Sequence, residues 1–447
     1  MRRACPVTNA QQRYSLPECY PKAQAVKSIA NNAWLLLLRR KQSKLNCPFE
    51  ILCYQNMISI QELKENTFWD EYVTNHPKAN AYQVFAWQDI IKKTYGFKTF
   101  ALAAFTGETN DSQVTPVSAN RMVGLLPLVQ IKTPLIGNRL VSMPYFDHGG
   151  VLSENTESEN RLIEAAIRLG QKTGAKRIEL RQLDRLPTLD NVDSRRLESP
   201  SAKGKISLHT IKRLNRQPVK VEWTLKSHKV RMLLPLPGNS GFLMKSFKSK
   251  LRSQIKRPIK AGLEAKIGGI ELLDDFYYVF SMNMRDLGSP VHSNALPNNV
   301  LRRFGDKARI AVVYKGKAPL AASLMVGVNS VMNNPWASAL REYSKDSPNM
   351  LLYWTMLSYA SDRGYHYFDF GRSTPGEGTY KFKAQWGAQP HPMYWYTIHL
   401  DKHRPPNNHR NDTSISKKRA MAVQLWQKIP VSITRIIGPP IRKHIDL

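Results

Sequence analysis

The sequence is poor in cysteine and has no long apolar run. Its four cysteines, Cys5, Cys19, Cys47 and Cys53, all lie near the beginning of the chain. The rest of the chain therefore has no disulfide, no thiolate nucleophile and no cysteine metal site. The longest aliphatic run, residues 35–38, is far shorter than the roughly 20 residues that cross a bilayer. No secretory apolar region follows Met1, so we expect a cytoplasmic protein.

Acidic residues are also scarce. The chain has 34 acidic and 66 basic residues, and its net charge is +32. Four segments, 1–56, 191–231, 245–266 and 401–447, carry +7, +8, +7 and +7, which is 29 of the 32 charges. Such segments favour a polyanionic partner, either nucleic acid, a nucleotide-linked substrate or anionic lipid. Solubility and solvated basic tails explain the same charge equally well.

Several catalytic motifs are missing. The sequence contains no Ser-His-Asp signature, no His-Glu-x-x-His zinc motif and no Walker loop, and its 11 histidines are scattered. We therefore predict no metal site. Acyl transfer from an activated donor remains compatible with these absences. That reaction needs a held carbonyl and an amine that loses a proton, but no covalent nucleophile.

The most informative stretch is residues 365–387. Aromatic residues occupy both faces of 365–370, which is typical of a strand buried on both sides. Gly371 permits a sharp exit, and Pro375, Gly376 and Gly378 predict a loop. Open α/β sheets bind ligands at strand ends. The polar residues gathered at this strand end are Asp369, Arg372, Glu377, Lys381 and Lys383.

The two halves of the chain follow one plan. Each has three strands, a helix closed by glycine (Gly174 or Gly364) and a further strand. This alignment matches Glu179 with Asp369 and predicts a duplicated α/β unit. The predicted domains are 57–183 and 231–400, with residues 389–400 supplying the last strands of the second copy.

Four other segments complete the predicted organisation. We expect residues 1–56 to be a disordered extension or a mis-called start. Residues 184–230 read as a basic, poorly ordered linker. A basic helix is predicted over 243–266, kinked or divided by Pro258. The basic tail, 401–447, contains an amphipathic helix at 416–428, which either docks on the core or contacts an anionic membrane surface.

Three motifs carry a resemblance to a known family. They are the run Phe368-Asp369-Phe370-Gly371-Arg372-Ser373 with Tyr380-Lys381-Phe382-Lys383 and Trp386-Gly387, the run 282–292, and the run 251–257. Together they resemble the FemAB-related acyltransferases, and within them the branch associated with exosortase (PEP-CTERM) systems and exopolysaccharide loci. The resemblance covers roughly residues 60–400. It implies an α/β (α+β) fold of two tandem GNAT-like domains, each a mixed, mostly antiparallel sheet flanked by helices.

The resemblance also implies an activity. An acyl or aminoacyl group would pass to an amine of a small-molecule, lipid-linked or nucleotide-linked envelope or exopolysaccharide precursor by direct attack. No cofactor would be tightly bound, and acyl-CoA or aminoacyl-tRNA would be the co-substrate. Arg372-x-x-x-Gly376-x-Gly378 is one residue longer than the acyl-CoA pyrophosphate loop, so the donor stays open. A non-catalytic protein that binds nucleic acid or a membrane surface is the alternative.

Site residues are assigned on position, chemistry and this likeness. Asp369 and Lys383 are the predicted catalytic residues. Asp369 either pairs with a base such as Arg372 or has a raised pKa for proton uptake. Alternatives remain for several others: Lys381 and Lys383 could be exposed, Asp147-His148 a simple turn, and Arg285-Asp286 an ion pair. The predicted binding residues are Arg372, Glu377, Lys381, Trp386, Tyr145, Asp147, His148, Arg285 and Arg252.

Overall fold

We analysed a computed structural model that describes residues 57–107, 121–133, 137–190, 201–212, 218–401 and 413–445. The predicted extension, 1–56, lies outside the described residues. Within the described ranges, no helix has both the length and the apolarity needed to cross a membrane.

The strands are named in chain order. They are β1 (Met57–Leu63), β2 (Lys98–Gly107), β3 (Arg121–Thr133), β4 (Gly137–Val141), β5 (Leu152–Ser153), β6 (Arg177–Gln182), β7 (Ser201–Lys212), β8 (Pro218–Lys226), β9 (Val230–Pro235), β10 (Leu263–Gly268), β11 (Ala308–Lys315), β12 (Ala318–Val328), β13 (Val331–Ala339), β14 (Tyr367–Ser373), β15 (Gln389–Pro392) and β16 (Tyr394–His399).

The helices follow the same convention. They are α1 (Trp69–Asn75), α2 (Ala86–Tyr95), α3 (Thr156–Thr173), α4 (Pro187–Asp190), α5 (Ser240–Ser246), α6 (Ser249–Lys260), α7 (Leu273–Asp286), α8 (Ala295–Phe304), α9 (Pro348–Asp362), α10 (Gly378–Ala384), α11 (Thr413–Lys428) and α12 (Val431–Arg442).

Two mixed sheets form the framework. The first has the order β1-β2-β3-β4-β6-β16-β8-β7, with β5 on β3, and the second has the order β10-β11-β12-β13-β14-β9-β15. Each contains an antiparallel meander that leads into one parallel pair, β4–β6 or β13–β14. The helix between the paired strands, α3 or α9, belongs to the crossover connection that a parallel pair requires.

The predicted duplication is visible in the strand registers. Glu179 lies opposite Val141 at the last register position of β4–β6, and Asp369 lies opposite Asn333 at the last position of β13–β14. The crossover helices end beside glycines with positive φ, Gly174 at 67° and Gly364 at 78°. Only glycine adopts this conformation without strain.

The halves exchange strands. β9, which precedes the second meander, pairs with β14, and β16, from the end of the second half, pairs with β6. The expectation that residues 389–400 complete the second copy is therefore wrong for β16, although β15 does join the second sheet. Tyr396 and Ile398 of β16 are fully buried among apolar residues of the first half. Burial of this face selects the sheet that β16 joins.

The predicted linker also belongs to the first sheet. Much of it forms β7 and β8, which pair with each other, and β8 pairs with β16. Val221, Trp223 and Leu225 alternate with more exposed residues along β8 and are buried. This period of two was hidden by the many charged residues around it, so the linker prediction was wrong here.

The predicted helix over 243–266 is three elements. α5 and α6 are separated at Phe247-Lys248, and the chain then turns into β10. Pro258 lies in the last turn of α6 and does not divide it. Gly262, at φ 77°, ends the helical path before Leu263. Leu263 is buried in β10, although it continues the four-residue apolar period of α6.

One apolar cluster joins the two halves. Trp87 of α2 lies 4.9 Å from Phe304 of α8 between ring centroids, and Phe146 lies 5.8 Å from Trp336 of β13. These rings belong to a single buried cluster with α7 and the second meander. The two sheets are therefore fixed relative to each other by a shared core.

Candidate functional site

The central feature is a gap between β13 and β14. The strands pair over Val331–Asn333 and Tyr367–Asp369 and then diverge. A cavity of about 450 Å³ lies beside the end of β13, and Ser338 of β13, Pro348 of α9, Thr379 of α10 and Lys383 are among its lining residues. A gap between parallel strands at a topological switch is a common ligand site in α/β folds.

Lys383 closes the inner wall of this cavity. Its side chain projects from α10, and Nζ donates to the carbonyl oxygens of Gly371 (3.2 Å) and Arg372 (2.8 Å). The residue is 9% exposed. Burial lowers the pKa of the amine to about 8, even though Asp147 and Asp369 act in the opposite direction. A substantial fraction of Lys383 is thus neutral just above physiological pH.

Asp369 is buried immediately behind Lys383. Its Oδ1 accepts from the Gly371 N–H (2.8 Å), and its Oδ2 lies 2.7 Å from Arg231 Nε and 3.4 Å from His148 Nε2. Burial alone would raise the pKa of this carboxyl. The nearby Arg231, with His148 and the Gly371 N–H, instead keeps it well below its usual range. The expected pairing of Asp369 with a base is confirmed, but the base is Arg231 of the exchanged strand β9 and not Arg372.

His148 brings the first half into contact with Asp369. Burial lowers its pKa and favours the neutral ring, although Asp369 opposes that shift. Its ring lies 4.8 Å from that of Tyr82. Within the described residues Nδ1 has no hydrogen-bond partner, although the side chain is almost fully buried. Neutral His148 can therefore donate from Nε2 to Asp369 without adding a buried charge.

Arg372 is held by the first half and by an exchanged strand. Its backbone N–H donates to Asp147 Oδ2 (3.0 Å), and Nε lies 3.4 Å from Asp147 Oδ1. The guanidinium lies 5.3 Å from the ring centroid of Trp395, and Arg181 approaches that ring at the same distance. Trp395 Nε1 donates to the Asp147 carbonyl (2.9 Å). Trp395 thus connects the two strand gaps.

The corresponding gap of the first half is filled by its own chain. The Ser142 N–H donates to the Glu179 carbonyl (2.8 Å), and the N–H groups of Gly149 and Gly150 donate to the Arg181 carbonyl at 3.2 and 2.9 Å. The intervening segment is strained, since Tyr145 has φ 73°. It also carries Asp147 and His148. The segment that fills the first gap therefore also places the side chains of Asp147 and His148 beside the second gap.

Other predicted site residues lie elsewhere. Lys381 and Glu377 are exposed on and just before α10, whereas Trp386 is 1% exposed in the core beside Phe247. Tyr145 donates its hydroxyl to the Lys443 carbonyl of the tail (2.7 Å). The last two residues serve local structure: Arg285 pairs with Asp286, and Arg252 donates to the Phe247 carbonyl. Binding roles for these residues stay predictions.

Sequence reasoning missed Arg231, Arg181 and Trp395. Arg231 lies in a segment rich in basic residues, so its residue type alone did not indicate that it belongs to the site. Arg181 offered a signal, because it follows Glu179 at the same spacing by which Gly371 follows Asp369. Trp395 alternates with buried Tyr396 in a short strand, which placed it on the opposite face but did not say which sheet it would face.

The part of the chain that carries the gap resembles a known domain family. Residues 245–384 match the acetyltransferase (GNAT) domain family. The matched region contains β13, α9, β14 and Lys383, and so the whole gap. A comparison with curated proteins found no match.

Solved structures extend the likeness across both halves. The crystal structure of FemX superposes with a TM-score of 0.53 at 16% identity, covering 75% of this chain and 96% of FemX. A tandem GNAT protein from the clavulanic acid biosynthesis pathway gives a TM-score of 0.43 at 10% identity, covering 78% of this chain and all of that one. The predicted fold class, α/β with two mixed sheets flanked by helices, is confirmed. The exosortase-associated branch stays a prediction.

Proposed function

We propose that this protein transfers an acyl or aminoacyl group from an activated donor to an amine by direct attack. One observation carries the proposal: a buried lysine with a pKa of about 8 lies in the wall of a cavity at the end of β13 and donates to two carbonyls of β14, where the two strands have diverged. An amine with a pKa close to ambient pH is suited to general acid–base catalysis. The donor carbonyl would lie in the gap, beside Lys383.

Lys383 is proposed to handle the proton. The neutral amine has two N–H groups, which satisfy the carbonyls of Gly371 and Arg372, and one lone pair. The acceptor nitrogen bonds to the donor carbonyl carbon, and the bond from that carbon to sulfur or ribose oxygen breaks. The proton lost by the acceptor passes to Lys383 and then to the leaving sulfur or oxygen, so no covalent enzyme intermediate forms.

Asp369 is proposed to position the site instead of exchanging protons. Both of its oxygens are occupied and its pKa is low, so it stays ionised through the working pH range. Its charge favours protonated Lys383 and fixes Arg231. Of the two alternatives for Asp369, pairing with a base is retained and proton uptake is not, so its proposed role is electrostatic.

Arg372 is proposed to contact a phosphate or carboxylate of a substrate. Its side chain is 31% exposed and lies between Asp147 and Trp395. A guanidinium held on an aromatic ring loses little freedom when it binds an oxyanion. Two donors fit this chemistry. Acyl-CoA is the donor used by GNAT acetyltransferases, and aminoacyl-tRNA fits the basic segments of the chain.

The acceptor and location are part of the same proposal. We infer an amine on a cell-envelope or exopolysaccharide precursor, made and used in the cytoplasm. The support is the motif resemblance at 251–257, 282–292 and 368–387. Asn283, from the second of these motifs, lines the cavity and donates to Ser338 Oγ at 3.1 Å.

Donor binding is the first test. Thermal unfolding is measured with acyl-CoAs, charged tRNA and uncharged tRNA, each at moderate and high salt. A ligand present at about 100 times its dissociation constant adds roughly 2.7 kcal/mol of stability. Stabilisation by one acyl-CoA at both salts identifies a thioester donor, and stabilisation by charged tRNA alone identifies an aminoacyl donor.

A third outcome would refute the proposal. If both tRNAs stabilise alike, salt abolishes the effect and no acyl-CoA acts, the chain is a polyanion-binding protein and not a transferase. Thr379→Trp is the matched variant, because Thr379 is exposed and lines the cavity. It should weaken a donor in the gap about tenfold and leave charge-driven binding unchanged.

A further inference from the structure

The C-terminal helices carry an unusual surface. Thirteen large apolar side chains are exposed in the part of the chain that the structure describes, and six of them lie on α11 and α12. Ile436 (75% exposed) and Met421 (63%) are the extremes. The other four are Leu425, Ile433, Ile437 and Ile441. We call these six residues the tail surface.

The tail surface forms continuous stripes. Ile433, Ile437 and Ile441 recur every four residues along α12 with Ile436 beside them, and Met421 and Leu425 have the same spacing on α11. The side of α12 that carries Thr434 and Gly438 is packed on the protein, since both residues are buried. A Cβ at Gly438 would lie 3.1 Å from the backbone nitrogen of Val291. α12 is therefore pressed closely against the body with its isoleucine face outward.

Polar contacts hold both helices in place. Arg435 Nε donates to Ser281 Oγ of α7 (2.8 Å), and its guanidinium lies over Tyr277 and Tyr278. Gln427 of α11 donates to the Asp286 carbonyl (2.8 Å). The expected docking of the tail on the core is thus observed. Docking leaves the apolar stripes unpartnered, so it does not explain them.

The charge of these helices indicates which partner covers the tail surface. Residues 413–445 contain seven lysine and arginine residues and no aspartate or glutamate, and two of the seven, Arg435 and Arg442, contact the body of the protein. A second copy of the chain would bring two such segments together, and their like charges would repel. An anionic bilayer satisfies both features, because acyl chains accept the isoleucines and lipid phosphates attract the cations.

We propose that the tail surface binds anionic phospholipid membranes and holds the protein at the bilayer surface. Neither helix crosses the membrane. The isoleucine face enters the interface, while the packed face keeps the rest of the protein attached. This inference does not depend on the acyl-transfer proposal, because it uses residues remote from Lys383 in the chain and requires no donor.

Vesicle co-sedimentation of the full chain tests this inference. The vesicles are phosphatidylcholine alone or equal parts of phosphatidylcholine and phosphatidylglycerol. The protein should sediment with the anionic vesicles and not with the neutral ones. Ile436→Asp should weaken this binding about tenfold or more, because a charge replaces an apolar group in the interface. Phe242→Asp, at a well exposed phenylalanine outside the tail (64%), is the control and should bind like the unmodified protein.

Three results would overturn the inference. Equal binding of Ile436→Asp and the unmodified protein would show that charge alone drives association. Absence of binding to anionic vesicles would exclude the membrane. A fall in oligomer mass on Ile436→Asp, measured by light scattering and without vesicle binding, would show that a second copy covers the surface. Thermal unfolding of each variant confirms that the fold is retained.

Discussion

The two strand gaps of this molecule share a plan and differ in what closes them. In the first half, the N–H groups of Gly149 and Gly150 donate to the carbonyl of Arg181. In the second half, the equivalent carbonyl, that of Gly371, accepts from the amine of Lys383. Both arrangements satisfy a strand carbonyl at a divergence. A peptide N–H is fixed and keeps its proton, whereas an amine with a pKa of about 8 can release one.

The first gap has a structural role, whereas the second has the features of a reactive site. The filled gap supports a strained loop that presents Asp147 and His148 to the other half, while the open gap leaves a cavity with a titratable wall. The two halves therefore share one framework. They differ because a backbone N–H donates to the strand carbonyl in the first half and a side-chain amine donates to it in the second. The predictions below test that inequality, beginning with the largest effect.

Removal of the Lys383 amine should abolish most of the acyl transfer at the second gap. Lys383→Met keeps length and apolar contact but cannot accept or give a proton. The rate of acyl transfer at saturating donor should fall about 10²–10⁴-fold. Lys381→Met removes an exposed lysine two residues earlier and is the control. A Lys383→Met enzyme with an unchanged rate would show that the buried amine takes no part in the reaction.

The two matched acids should contribute unequally to stability. Asp369→Asn leaves Arg231 beside a neutral, buried group and should reduce the free energy of unfolding by about 3–5 kcal/mol. Glu179 is more exposed (side chain 22%). It is bonded to the partly exposed Arg177 at 2.8 Å and lies farther from the buried Arg139 (3.7 Å) and Arg181 (3.8 Å). Glu179→Gln should therefore cost less, about 1–2 kcal/mol. Chemical denaturation at neutral pH measures both values, and equal losses would contradict the assigned asymmetry.

The pH dependence of stability isolates Lys383. Its pKa is about 8 in the folded protein, below the roughly 10.4 of an unfolded lysine. Between these values the unfolded chain binds more protons, so stability should rise as pH increases from 8 towards 10.4 and should be unaffected below 8. The gain over Lys383→Met, measured by denaturation across this window, should be about 3 kcal/mol. Parallel curves for the two proteins would place the pKa near its usual value.

The smallest effect is expected at the residue that joins the gaps. Trp395→Leu keeps an apolar side chain but removes the ring that both Arg181 and Arg372 approach. The two cation–π contacts, one to the buried Arg181 and one to the partly exposed Arg372, amount to about 1–2 kcal/mol. The Michaelis constant should rise for any substrate bound by Arg372, with little change in turnover. A turnover loss as large as that of Lys383→Met would mean that Trp395 holds the catalytic amine in place.

Local pattern was sufficient for much of the fold. Gly174 and Gly364 each require positive φ after a helix, so they located both crossovers and matched Glu179 with Asp369. Lys383 and Asp369 could be assigned to one strand end because only 14 residues separate them. The four-residue period of α6 failed at Leu263, since a period does not register that Gly262 has already ended the helix.

Long-range pairing was beyond the sequence. Arg231 reaches Asp369 across 138 residues, and no local feature distinguishes it from the other basic residues of its segment. β9 and β16 each alternate like any strand, and alternation defines a buried face but not the sheet that buries it. α12 was missed because its two prolines, Pro439 and Pro440, normally stop a helix, whereas here they lie within its last turns.

The strand exchange has a consequence for synthesis. Gln182 of β6 pairs with Tyr394 of β16, which leaves the ribosome 212 residues later. At about 5–20 residues per second this interval is about 10–40 s. Throughout it, the edge of β6 that β16 will cover has no partner from its final sheet, and such edges invite aggregation. The first half is thus synthesised first, but its sheet is completed only when β16 has been made. Until then the nascent chain has an open strand edge that must be kept from pairing with other chains.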